Sequence, residues 1–242
     1  MNKYLLLWLE GPLQSWGFDS KFGRRDTLQF PTKSGIYGMF LAALGRKGAQ
    51  NDLLLQLSDF KQTVVSFAIN VSKAEFGTTT PNDLILPKLL MDFHMIGSGF
   101  DEKDSWQKLM IPKKEDGGTA VGGGSKITYR YYLQDARFAV IQEINPSLGE
   151  EIAKALCNPT FEVCLGRKSC VPTDFIFRGI YDSLKTVEEE ISRLREEKGL
   201  TELFRIIEEE SQGEQLIIND VPLQFGQTKK YRDRLITIVP SR

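Results

Sequence analysis

Histidine is nearly absent from this 242-residue chain: His94 stands alone. Acid–base schemes that need a pair of imidazoles are thereby excluded. Cysteine is scarce as well, and Cys157, Cys164 and Cys170 form no CxxC pair and are odd in number, so neither zinc nor a disulfide framework is indicated. Such lone cysteines read as small core residues. No apolar run reaches the 18 or more residues of a membrane-spanning helix, and Leu5–Leu9 is too short for a signal-peptide core, which makes the cytoplasm the expected location. The phosphate-loop, GxGxxG, HExxH and EF-hand patterns are all missing, and GGGSK at Gly122–Lys126 lacks a strand and helix around it. No cofactor and no metal are expected.

Net charge is also small, at −1. The distribution is uneven: Asp182–Glu214 holds eleven acidic and five basic residues, so it carries −6 and the rest of the chain +5. The acidic segment reads as a solvated helical face, which leaves a cationic surface elsewhere for a polyanion. With 41% hydrophobic residues, the length fits one large domain or two small ones.

The richest stretch is Leu5–Gly45. An apolar run, Leu5–Leu9, predicts one buried strand that breaks at Gly11-Pro12. The loop beyond carries Gln14, Ser15, Trp16, Lys21, Arg24, Arg25 and Lys33, a mixture of amide, hydroxyl, indole and cation suited to a polyanion with stackable faces. Thr32 or Ser34 then caps a helix with Ile36, Met39, Phe40, Ala43 and Leu44 at helical spacing, ended by Gly45. Lys33, Ser34, Gly35 and the first-turn N–H groups make a phosphate seat. Trp16 either stacks on a base or plugs the core.

Lys61–Val71 alternates and predicts a second strand, with Val65, Phe67, Ile69 and Val71 on one face; a third is expected from about Ile127 to Ile141. Ser147 and Glu150 form a capping box for a helix with Leu148, Ile152, Ala155 and Leu156, ended by Asn158-Pro159, and Phe161–Leu165 follows as a fourth strand. The order predicts an α+β chain with a ferredoxin-like (RRM-like) βαββαβ domain over 1–169. Its second and third strands are joined by a long insertion of about 72–126, with a glycine cluster at 117–124. Residues 170–242 are expected to form a smaller C-terminal α/β layer: a helix over Thr186–Lys198 with Val187, Ile191 and Leu194 as its stripe, a shorter helix over Thr201–Glu209, and strands LIINDV and RLITIV around a turn with Lys229, Lys230 and Arg232. The loops after the first and fourth strands should lie close together, which would join Arg167, Lys168 and Ser169 to the first loop.

The strings GPLQSWG, RRDT and PTKSGIYGMFLAALG, then MDFH at Met91–His94, YRYYLQDARF at Tyr129–Phe138, LGRKSC at Leu165–Cys170 and DVPLQFGQTKKYRDR at Asp220–Arg234, occur in one order. That series resembles the Cas five family of CRISPR-associated proteins, and especially its type I-E Cascade members. The resemblance implies the same ferredoxin-like fold. It also implies a noncatalytic subunit that binds the 5′ handle of the mature crRNA and caps the backbone filament in antiviral defence. The RNA groove would be lined by Gln14, Ser15, Trp16, Arg24, Arg25, Lys33, Ser34, Gly35, Arg167, Lys168 and Ser169. The insertion becomes a thumb, with Trp106, Lys108, Lys113, Lys114 and Lys126, that meets the guide and the neighbouring Cas seven type backbone subunit, while a large subunit docks beside it and target DNA is reached through the complex. The alternative implied by other family members is a metal-independent endoribonuclease cutting repeat RNA, for which Tyr37, Lys88 and His94 are the residues available. A general RNA-binding module outside CRISPR defence is a third, remoter reading.

Overall fold

The computed structural model describes residues 2–18, 20, 23–70, 84–96, 103–106, 114–118, 126–209 and 211–241. In chain order these form β1 (Lys3–Glu10), β2 (Leu13–Gln14), β3 (Arg24–Arg25), α1 (Lys33–Ala43), α2 (Asn51–Ser58), β4 (Gln62–Asn70), β5 (Leu84–Ile85), β6 (Lys88–Ile96), β7 (Lys126–Gln134), β8 (Arg137–Ile144), α3 (Pro146–Cys157), β9 (Phe177–Tyr181), α4 (Leu184–Glu197), β10 (Leu200–Ile207), β11 (Glu214–Gln224) and β12 (Lys230–Pro240).

The main sheet runs β11-β12-β10-β4-β8-β1-β9. β1 is antiparallel to both β8 and β9, and β8 is antiparallel to β4. β1 reads as an unbroken apolar run because both its faces are covered. Leu5, Leu7 and Leu9 share one core with Ile36 and Phe40 of α1, Leu54 of α2 and Ile152 of α3. Leu6 and Trp8 face the other way and pack with Val65, Phe67 and the Val187, Ile191 and Leu194 stripe of α4. Both faces of the central strands are thus covered, one by α1, α2 and α3 and the other by α4.

A second sheet orders β2-β7-β3, with β6 paired to β7 from Lys88↔Gln134 to Ile96↔Lys126. The expected third strand is therefore two strands. Asp135 sits between them at φ +52°, a left-handed conformation that Asp tolerates better than most residues, and its N–H donates to Pro12 O. The insertion's stem is consequently a regular antiparallel ribbon. Gly122–Gly124 of the glycine cluster lie outside the described residues.

Other expectations need correction. Phe161–Leu165 forms no strand, because Thr160 and Phe161 N–H donate to Ala43 and Ala42 O, carbonyls of the last turn of α1. The strand after α3 that pairs with β1 is β9. Asn145, not Ser147, caps α3, its Oδ1 accepting from Leu148 N at 2.8 Å with Pro146 in the first turn. Thr201–Glu209 is not helical: β10 lies between β4 and β12. Residues after 170 supply both sheet edges, β9 on one side and β10–β12 on the other. α2 had no expectation.

Candidate nucleic-acid interface

α1 is the axis of the site. Thr32 caps it, with Oγ1 accepting from Gly35 N at 3.1 Å. Gly35 is required there by Trp16, whose ring would lie 2.8 Å from any added Cβ. Trp16 is fully buried, and its Nε1 donates to Gln14 Oε1 at 3.2 Å. The Gln14 amide in turn donates to Ala136 O at 2.7 Å, and Ser15 Oγ donates to Tyr131 O at 3.0 Å. Gln14, Ser15 and Trp16 thus hold the loop from inside rather than lining a groove.

The two signature loops do meet. Ser15 N donates to Leu165 O at 3.0 Å, and Gly166, at φ +93°, approaches so closely that a Cβ would fall 1.8 Å from Ser15 O. Only glycine serves at that position. Arg167 Nη2 donates to Arg25 O at 2.8 Å while its guanidinium lies 4.8 Å from the Tyr132 ring centroid, so it clasps the two loops together. Arg24 is paired to Asp26 at 2.8 Å and stacks at 5.0 Å on Tyr131. Arg25, Lys168 and Ser169 are exposed.

Lys33 faces the other way. It is 1% exposed, with Nζ 2.9 Å from Glu208, and Arg234 bridges Glu208 and Asp220 at 2.6 Å each. Burial draws the Lys33 ammonium below its ordinary value despite Glu208, whereas Arg234 is raised: burial opposes its charge, but the hydrogen bonds and charge of Asp220 outweigh that. The Lys33 backbone N–H also donates to Asp220 Oδ2 at 2.7 Å. A protein carboxylate therefore occupies part of the helix start read from sequence as a phosphate seat, and Lys33 is withdrawn from any solvent-borne ligand.

The solvent side of α1 is open. There Ser34, Gly35, Gly38 and Ala42 floor a cleft of about 840 Å³ whose walls come from the 161–168 loop, residues 46–48 and the 225–229 turn. An added Cβ on Gly38 meets nothing within 4 Å. Arg46, Lys47, Lys168 and Lys229 line the cleft together with Phe161 and Phe225. Lys47 lies 4.8 Å over the Phe161 ring, Arg46 is 3.5 Å from Glu151, and Lys168 and Lys229 make no ion pair among the described residues. Cys164 on the wall stays a thiol, pushed up by burial and by Glu162. Sequence reading assigned Lys168, Ser34 and Gly35 to the site but missed Gly38, Arg46, Lys47, Phe161 and Phe225, and placed Lys229 only in a basic turn. The RKG that follows the α1 stop and the basic TKK turn were the signals available.

The thumb residues are scattered. Trp106 is 72% exposed, and Lys114 is exposed in a turn closed by Gly117 N to Lys114 O; Lys126 opens β7, while Lys108 and Lys113 lie outside the described residues. One face of the β6–β7 ribbon exposes Leu89, Met91, Phe93, Met95, Ile127 and Tyr129. Tyr37, Lys88 and His94 are not brought together. Tyr37 is buried, with its OH donating to Leu57 O at 2.6 Å and its acidity suppressed by burial; Lys88 and His94 stand at opposite ends of β6, about 20 Å apart at strand rise, and His94 contacts Asp92.

Residues 4–237 match a family model described as CRISPR-associated protein (Cas_Cas5). The chain is 30% identical over 188 residues to the CRISPR system Cascade subunit CasD of Escherichia coli (strain K12), covering 74% of this chain and 71% of that protein. Among solved structures it resembles a chain of a CRISPR RNA-guided surveillance complex, with TM-score 0.68, 27% identity and coverage of 98% of this chain and 90% of the other. A second likeness, to a Cas protein crystal structure, has TM-score 0.55 at 24% identity, covers 98% and 95% of the two chains, and speaks to the fold alone.

Proposed function

Because the chain belongs to the CRISPR-associated Cas5 family, we propose that it is the RNA-binding, noncatalytic subunit of a type I surveillance complex that grips the 5′ handle of the mature crRNA in the cleft beside α1. The observation that carries this reading is the cleft itself: four cations, with Glu162 as the one acidic residue of the lining, and two phenyl rings around a helix face opened at Gly38. Single-stranded RNA needs cations along its backbone and flat apolar groups for its bases. Gly38, whose missing side chain would have met open space, lets a sugar-phosphate chain approach the helix backbone.

The fold is read as ferredoxin-like, supported by the order β9-β1-β8-β4, with α1 and α3 as the crossovers. The apolar stripe on the β6–β7 ribbon fits a thumb covered by the adjacent Cas seven type backbone subunit as this chain caps the filament. A large subunit completes the assembly, target DNA is met through the complex, and the cytoplasm is its compartment. No described helix is long and apolar enough to cross a membrane. The noncatalytic reading rests on the dispersed Tyr37, Lys88 and His94.

The test is a binding titration in chelator with RNA carrying the 5′ handle, against a scrambled handle, over a range of salt. Lys168→Ala combined with Lys229→Ala should weaken binding about tenfold and flatten the log–log salt slope by roughly 0.7 for each phosphate no longer neutralised. Unchanged affinity and slope in a folded double variant would remove the cleft from the interface. Specific cleavage of the RNA in chelator would transfer the protein to the nuclease reading.

A further inference from the structure

A second surface lies beyond the Lys168 loop. Phe175 is 83% exposed and Val171 60%, on a short loop joining Cys170 to β9. Exposed phenyl rings are common on mobile loops, but this one is fixed along its length. Thr173 N donates to Glu10 O at 2.9 Å, Trp8 N donates to Ile176 O at 2.8 Å, and Phe175 N is held by Asp174 Oδ1 at 2.7 Å. Asp174 Oδ2 is gripped by Lys198 at 2.7 Å and by Arg178 at 2.6 Å. Gly11 lets the loop approach, since a Cβ there would sit 2.7 Å from Val171 O. The ordering entropy that usually opposes binding through an aromatic side chain on a loop has been met in folding.

We infer that Phe175, with Val171 beside it, is a preformed anchor for an apolar pocket on another protein subunit of the complex. This inference rests on family membership and not on the RNA cleft. The charges around the anchor decide between protein and RNA. Glu10 contacts Arg137 at 3.1 Å and Lys198 at 3.0 Å, while Asp174 takes Lys198 and Arg178, so every cation of this cluster already faces a carboxylate. A phosphate arriving here finds no cation of the cluster without a carboxylate, and the Arg178 Nε and Nη2 that lack a hydrogen-bond partner among the described residues are buried, whereas Lys168 and Lys229 in the cleft offer two unpaired cations. A rigid aromatic ringed by internally neutralised charges has the composition of a protein interface hot spot.

The experiment co-expresses the tagged full chain with the other protein subunits of its own complex and a crRNA, and measures which subunits co-purify and how fast they dissociate. Handle-RNA affinity and oligomeric state are measured on the isolated chain in parallel. Phe175→Ser should speed loss of one protein subunit about tenfold or more, leaving RNA affinity and melting temperature unchanged, and Phe175→Leu should restore part of the retention. An equal loss of RNA affinity in Phe175→Ser would make the ring a base-stacking element and overturn the inference. So would a homodimer of the isolated chain that Phe175→Ser dissolves, or retention of every subunit at the wild-type rate. Failure of the RNA cleft would instead show in the Lys168 and Lys229 variants, with Phe175 unaffected.

Discussion

The two sides of α1 treat positive charge in opposite ways. At its start Lys33 and Arg234 are buried between Glu208 and Asp220, contributed by chain 175 or more residues away from Lys33, and nothing from solvent reaches them. Across the helix Lys168 and Lys229 stand at an open cleft that Glu162 also lines, yet neither makes an ion pair among the described residues. A lysine belongs to a ligand site when its counter-charge has been left out, and proximity to a helix start or to a family signature does not decide this. The buried corner ties α1 to the strands after residue 200, and the open side leaves room for RNA.

The contrast breaks most visibly at Arg234. Arg234→Ala leaves the buried Asp220 and the partly buried Glu208 with Lys33 as the cation remaining beside them, and should cost about 3–5 kcal/mol of stability, read in a denaturant titration, with handle affinity per folded molecule unchanged. A lower affinity in molecules shown to be folded would mean that the corner serves RNA directly. Trp16→Phe comes next: the Gln14 carbonyl loses its indole donor inside the core, at about 1–3 kcal/mol. A melting-temperature drop with normal RNA affinity is expected, and the reverse pattern would return Trp16 to base stacking.

The smallest effect belongs to the ion network behind Phe175. Burial alone would raise the Glu10 carboxyl, but hydrogen bonds from Trp8 and Lys198 and the charge of Arg137 hold it below its ordinary 4.5. Asp174 is likewise held below 3.8, burial being outweighed by Lys198, the Phe175 N–H and Arg178. A depressed carboxylate contributes stability above its unfolded value and loses it as pH falls through the folded one. Glu10→Gln should therefore cost about 1 kcal/mol near pH 7, after allowance for screening. Thermal melts should show the difference holding down to about pH 5 and shrinking below 4.5. A difference that grows on acidification would contradict the assignment.

Much of the framework was legible in the residues. The Leu5–Leu9 run, the alternation of β4, the α1 cap and the α4 stripe are local patterns, and each became the expected element. What escaped was decided at a distance. Nothing local distinguishes β10 from a helix, since LTELFRII becomes a strand by pairing with β4 and β12. Phe161–Leu165 has strand composition, yet its first donor is taken by the end of α1. The same limit governed the site. The cations could be found, but whether each was paired depended on Glu208, Asp220 and Glu151, and the open face of α1 emerged only once the 161–168 loop and the 225–229 turn were placed around it.

Gly38 tests the central claim most directly, because it changes the cleft and nothing behind it. A side chain there has open space on the solvent side, and replacing a helical glycine should itself add about 0.5–1 kcal/mol of stability. Gly38→Leu should raise or keep the melting temperature while lowering affinity for handle RNA about tenfold or more at fixed salt. If the variant is as stable as the wild type and binds handle RNA with undiminished affinity, the RNA does not lie in the cleft beside α1, and the proposed interface is wrong.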